Sequence, residues 1–217
     1  MPTRFAGTGE IDRTAVTRVE WLTLGGPVTP WRELGLLVDD DGLVPLFGPG
    51  IRLVGGERPG ILGWALSDAA EVLEATVDGL PTDVVPPLAP RFAEHPLGAI
   101  GLDHVVVVTN DLERTSDAVT AATGAPRRRV REVGAMRQGF HRLGPLIVEL
   151  VEHADLPPGP AEFWGLVINV EDLEVAVERL GPELVSGSKP AVQPGRSIAT
   201  LRPEAGLGLP VALMTPG

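Results

Sequence analysis

His104 follows Asp103 and opens a run of four valines, and Glu149 interrupts the apolar stretch between Leu146 and Val151. An imidazole and a carboxylate on strands of this kind suit two jobs, holding a divalent metal or moving a proton. Strand alternation puts His104 on one face with Val106 and Val108, and Glu149 on one face with Ile147 and Val151. A carboxylate buried alone in an apolar strand costs several kcal/mol or a large pKa shift, so Glu149 calls for a partner such as a cation. The plainer alternatives are a strand-edge histidine bonded to Asp103 or to backbone, and an exposed glutamate on an edge strand whose wet end Glu152 and His153 mark.

Few other residues compete. With no cysteine, disulfides, thiolate metal sites and cysteine nucleophiles are excluded together, and any metal must be held by His, Asp, Glu or water. His141 lies in "GFHRLG", a strand expected to line the same sheet, and is the next candidate as ligand or general base; its alternative is a surface position, as for His153, while His95 falls in a proline-rich connector. Trp164 stands beside Gly165, where an indole next to a glycine suits one wall of a flat apolar pocket. Lys189, Arg196 and Arg202 lie in a Gly/Ser/Pro-rich stretch, either to guide an anionic ligand or as a solvated loop. GxSxG, HExxH and GxGxxG patterns are all missing.

The elements that must position these residues repeat. Residues 101–152 read as strand, helix and three strands: "LDHVVVVT", a helix "DLERTSDAVTAATG" capped by Asn110 and closed by Gly124, then "RRRVREVG", "RQGFHRLG" and "PLIVELVE". Residues 162–216 repeat the order. "FWGLVINV" is a strand, "EDLEVAVERLG" a helix with Leu173, Ala176, Val177 and Leu180 on one face, and "RSIATLR" and "LPVALMTP" the last two strands. Residues 16–98 read as two degenerate copies. In the first, "TRVEWLTL" is a strand, Thr29 caps a short helix with Pro30 at its first position, and "GIRLVGG" closes the unit. In the second, a strand from Gly60 leads into a helix with Asp68 and Glu71 as a capping box and Ala69, Val72, Leu73 and Thr76 on one side. Residues 80–98 are too rich in proline for central strands. Residues 1–15 read as a loose tail.

Composition narrows the class. The chain has 217 residues, 43% of them hydrophobic, a positive mean hydropathy and a net charge of −11. That charge argues against nucleic acid or an anionic membrane as partner. No apolar run approaches the roughly 20 residues that cross a bilayer, and the start of the chain has no signal-peptide stretch, so a soluble, cytoplasmic protein is expected.

A strand, helix, three-strand unit opening on "LDHVVV" and closing on "IVELVE" resembles the vicinal oxygen chelate superfamily, which includes glyoxalase I, extradiol dioxygenases and bleomycin-resistance proteins. The resemblance is good over residues 99–217 and weak before them. It implies an α+β fold of tandem βαβββ modules forming curved mixed β-sheets, divided into a tail (1–15), a degenerate glyoxalase-like half (16–98) and a glyoxalase-like domain of two modules (99–217). It also implies a cup holding one divalent metal (Zn, Mn, Ni or Fe), with His104 at the first-strand ligand position and Glu149 at the last-strand position. Aligning the two "DLE" segments sets Gly165 against His104, and aligning "IVELVE" with "PVALMT" sets Ala212 against Glu149. Neither can bind a metal, and Arg52 takes the place of Glu149 in "GIRLVGG".

Three functions follow. The first is a small-molecule binding protein with a degenerate metal site, in which Trp164, His141 and Arg196 are candidate ligand contacts. The second is a metal-dependent lyase, isomerase or dioxygenase using His104 and Glu149, and the third a scaffold without a ligand. Relatives of this kind often form homodimers.

Overall fold

The computed structural model describes residues 17–69 and 75–217. Both the expected tail and most of the helix expected after Asp68 lie outside them. At the flanks of that helix, Asp68 has a positive φ of 51° and Thr76 is in a strand.

In chain order the first sheet comprises β1 (Arg18–Gly25), β2 (Leu43–Val44), β3 (Gly50–Gly55), β4 (Gly60–Ser67), β5 (Thr76–Val77) and β6 (Leu80–Val84), with helix α1 (Thr29–Glu33) after β1. Thr29 is the first residue of α1 and not its cap, which is Val28. Their spatial order is β2-β3-β1-β4-β6-β5. β6 is a strand despite Pro81, because β5, its partner on the outer side, is only two residues long and the ladder there is short.

The second sheet holds β7 (Ala99–Thr109), β8 (Arg129–Val133), β9 (Met136–Leu143), β10 (Leu146–His153), β11 (Glu162–Val170), β12 (Lys189–Pro190), β13 (Ser197–Thr200) and β14 (Val211–Met214), in the order β12-β13-β14-β11-β7-β10-β9-β8. Helices α2 (Leu112–Thr123) and α3 (Leu173–Leu180) follow β7 and β11. Both start on an aspartate. Asp111 accepts from the backbone N–H of Arg114, and Asp172 from that of Val175. Asn110, expected as the α2 cap, instead accepts from the Arg114 guanidinium. Gly124 ends α2 in the left-handed conformation that favours glycine. The architecture is α+β, two mixed sheets with few helices.

Register exposes the repeat at single residues. In the second sheet β7 runs parallel to β10 and antiparallel to β11, and Val106 faces both Glu149 and Gly165. His104 faces Val167, which in turn faces Ala212. In the first sheet β1 runs parallel to β3 and antiparallel to β4, with Thr23 facing Arg52 and Gly63. Trp21 faces Ala65, which faces Asp83. The same pairing diagram is thus drawn twice, with Trp21 where the second sheet has His104 and Arg52 where it has Glu149. The two sheets share a core, in which Trp64 on β4 meets Phe163 on β11 edge-on at 5.6 Å between ring centres.

Candidate functional site

Alternation along β7 sends Val105 and Val107 into the fully buried core and leaves His104, Val106 and Val108 half-buried on the other face. Along β10, Val148 and Leu150 go inward while Ile147 and Glu149 take the outer face. Because the strands are parallel, with Glu149 opposite Val106, His104 and Glu149 come together: Nε2 lies 3.6 Å from Oε2.

A register shift sets up the next contact. His104 pairs with Val167 but Leu102 pairs with Ile168, so Asp103 is the extra residue of a bulge. In a regular strand its side chain would point away from that of His104. The bulge brings Oδ2 to 2.8 Å from His104 Nδ1. Its other oxygen receives Arg196 Nη2 at 2.6 Å, and the same guanidinium bonds the Asn169 side chain and the Thr215 carbonyl. Burial pushes the Asp103 carboxyl up, but hydrogen bonds and charge from His104 and Arg196 outweigh it and hold the pKa at about 2. Glu149 goes the other way. Burial raises its pKa against the attraction of His104 and Arg131, and the Asp103 charge adds to the rise.

These groups form one wall of a cavity of about 590 Å³. Gln138 belongs to the same wall and donates from Nε2 to Glu149 Oε1 at 2.8 Å. The opposite wall is apolar but for Thr200: Val167, Ile198, Val211 and Ala212, with Trp164 at the rim, 54% exposed on a second bulge. His153 also lines the cavity.

Two expected contacts lie elsewhere. β9 pairs so that Gln138 and Phe140 face the cup while His141, opposite Val148, faces the core. His141 is fully buried, with Nδ1 bonded to the Ala125 carbonyl and Nε2 to the Ser116 hydroxyl. It is a fastening between β9 and α2 and does not reach the cavity. Burial lowers its pKa below the ordinary 6.5, so the unfolded chain takes up a proton that the folded one refuses. Stability should therefore fall as pH drops below about 6.5, and thermal melts of His141→Gln should lack that component. Arg196 is the second correction. Its guanidinium is committed behind His104, to Asp103, Asn169 and Thr215, and does not line the cavity. Arg202 likewise bonds the Pro182 carbonyl.

Gln138 escaped sequence reasoning. Its only signal is parity with Phe140 in β9, and parity means nothing until the hairpin register is known.

Neither a family model nor a curated protein sequence matches the chain. Solved structures do. A triple mutant of 4-hydroxymandelate synthase from Streptomyces coelicolor superposes with a TM-score of 0.62 at 15% identity, covering 93% of each chain. Methylmalonyl-CoA epimerase from Mycobacterium tuberculosis aligns with a TM-score of 0.47 at 17% identity over 55% of this chain and 90% of that one. The chain has the vicinal oxygen chelate fold. That glyoxalase-like architecture frames the question of a metal. Here the donor set is two side chains, His104 and Glu149, and among the described residues no group of three or more His, Asp or Glu is arranged to hold an ion. Gly165 and Ala212 stand at the counterpart positions, and a Cβ on Gly165 would lie 2.6 Å from the Pro210 carbonyl oxygen, which accepts from the Leu166 N–H. The half of this glyoxalase-like cup built by β11 and β14 is closed to a metal ligand at that position by its own backbone, and two protein ligands hold a metal weakly. The residues present do not fit a resident metal centre. Accordingly, Gly165→His should lower stability by about 1–3 kcal/mol and gain no metal-dependent rise in melting temperature.

The first sheet does not supply the missing groups. Arg52 lies over the Trp21 ring at 4.2 Å, and the two fill the positions equivalent to the acid and imidazole. No helix among the described residues is long and apolar enough to cross a membrane.

Proposed function

We propose that this protein binds a small organic ligand in the cup of its second sheet, without a resident metal, and acts in the cytoplasm. The observation that carries the reading is the cavity's division into a polar wall (His104, Gln138, Glu149) and an apolar wall (Val167, Ile198, Ala212, Trp164). Its volume falls in the range of small-molecule sites, about 300–1,000 Å³. A second cavity, about 390 Å³ and lined by Pro45, Phe47, Leu88 and Phe92, offers less. Of the three charged residues at its edge, Glu20 is committed to Ser67 and Leu88 and Arg91 to Asp39, leaving Arg18.

Holding Glu149 ready costs stability. Because its folded pKa is raised, the folded chain bears an ionised buried carboxylate at neutral and higher pH that it sheds on protonation. Glu149→Gln should melt above the wild type at pH 8, with the difference closing as pH falls toward 4.

A thermal-shift screen of aromatic and aliphatic compounds in excess chelator tests the proposal. A ligand at about 100 times its Kd adds about 2.7 kcal/mol. Binding should also quench Trp164, the exposed indole, and Trp164→Ala should abolish the quench. A flat response across a broad library leaves the scaffold reading. Stoichiometric metal in protein purified without chelator, lost from both His104→Ala and Glu149→Ala, would instead establish the metal-dependent enzyme.

A further inference from the structure

The inference that follows rests on the ligand-binding reading of the cup and names the ligand's class. His104 attracts Asp103 and Glu149 as a charge only when protonated; in the neutral ring, the form a cationic ligand selects, Asp103 holds the hydrogen on Nδ1 and Nε2 presents a lone pair to the cavity. Glu149 Oε2 stands 3.6 Å from it, outside hydrogen-bond range. Two acceptors thus face one another, and among the described residues neither has a donor. Gln138 sets up a third. Its amide nitrogen is committed to Glu149 Oε1, which fixes the amide's orientation and leaves its own Oε1 buried without a donor. An unpaired buried acceptor such as Gln138 Oε1 is expensive, and beside it two further acceptors open onto the cavity. Among the described residues, no lysine or arginine side chain lines the cavity, and Glu149 is its one acid.

The geometry points to a ligand with a primary ammonium group on an apolar, preferably aromatic, body. The ammonium nitrogen sits between His104 Nε2 and Glu149 Oε2 and donates to both, while Gln138 holds the other carboxylate oxygen in place. It brings the several N–H donors that two facing acceptors need and a positive charge that no cavity-lining lysine or arginine supplies among the described residues. The body rests on Val167, Ile198 and Ala212 and reaches Trp164. An alcohol brings one hydrogen to two acceptors. A carboxylate or phosphate brings none and meets Glu149 with like charge.

Three probes that share a phenyl ring separate these cases: phenethylamine, phenethyl alcohol and phenylacetate, titrated at neutral pH in chelator with Trp164 fluorescence as the readout. The expected result is amine binding at least about tenfold tighter than alcohol binding, and no saturable response to phenylacetate. Glu149→Gln, checked for folding by its melt, should weaken the amine about tenfold and leave the alcohol within roughly twofold. Gln138→Leu is the second variant and should weaken the amine in the same direction. If the alcohol binds as tightly as the amine, or if both variants keep full amine affinity, the ammonium assignment falls while the ligand pocket stands. If none of the three probes quenches Trp164, both readings fall.

Discussion

Arg196→Ala should cost about 3 kcal/mol of stability, roughly a 9 °C fall in melting temperature for a chain of this size. The guanidinium is 11% exposed and the Asp103 carboxylate 7%, so deleting the cation strands a buried anion. It also frees the Asn169 and Thr215 oxygens that the same fork holds. Arg196→Lys keeps the charge but not the fork, and should recover only part of the loss. The dependence on pH has a definite sign. Asp103 ionises at about 2 in the folded chain against an ordinary 3.8, so its contribution is complete above about pH 4 and is lost as pH falls toward 2. The gap between wild type and Arg196→Ala should narrow over that window. Chemical denaturation between pH 2 and pH 8 would test this, and a gap independent of pH would detach Arg196 from Asp103.

Trp64→Ala should be more damaging still, about 4 kcal/mol or roughly 12 °C. The indole has no solvent exposure, donates to the Thr82 hydroxyl at 2.7 Å, and packs against Phe163 of the other sheet. Its removal opens a void between the sheets and leaves Thr82 without its donor. Since the contact joins β4 to β11, the loss should lower one cooperative transition. Two transitions in calorimetry, with only the earlier destabilised, would contradict this account of the shared core.

Much of the second sheet was legible because its central strands β7, β9, β10 and β11 are long and strongly patterned. The alternation of β7 put His104 with Val106 and Val108 before any pairing was known, and two helices closed by Gly124 and Gly181 marked the repeat. The resemblance to the vicinal oxygen chelate fold drew on the same residues. What stayed hidden depends on register. His141 and Gln138 lie three positions apart on β9, and nothing local decides which of them faces the cup. A shift of one residue would exchange them. The Asp103 bulge was equally invisible, since one extra residue in a ladder leaves no composition signal. Arg196 appeared as a loop cation because its acceptors come from three remote places, Asp103, Asn169 and Thr215. After Asp68 the apolar spacing suggested a helix running to Thr76, and pairing with β6 claimed Thr76 for a strand.

The most direct test is a crystal structure of the full chain grown with phenethylamine in excess chelator. The account predicts an organic ligand in the cup, its nitrogen bridging His104 Nε2 and Glu149 Oε2 and its ring against Val167 and Trp164. A metal ion bound between those two side chains in the chelated protein, or the amine bound elsewhere with the cup free of it, would contradict the account.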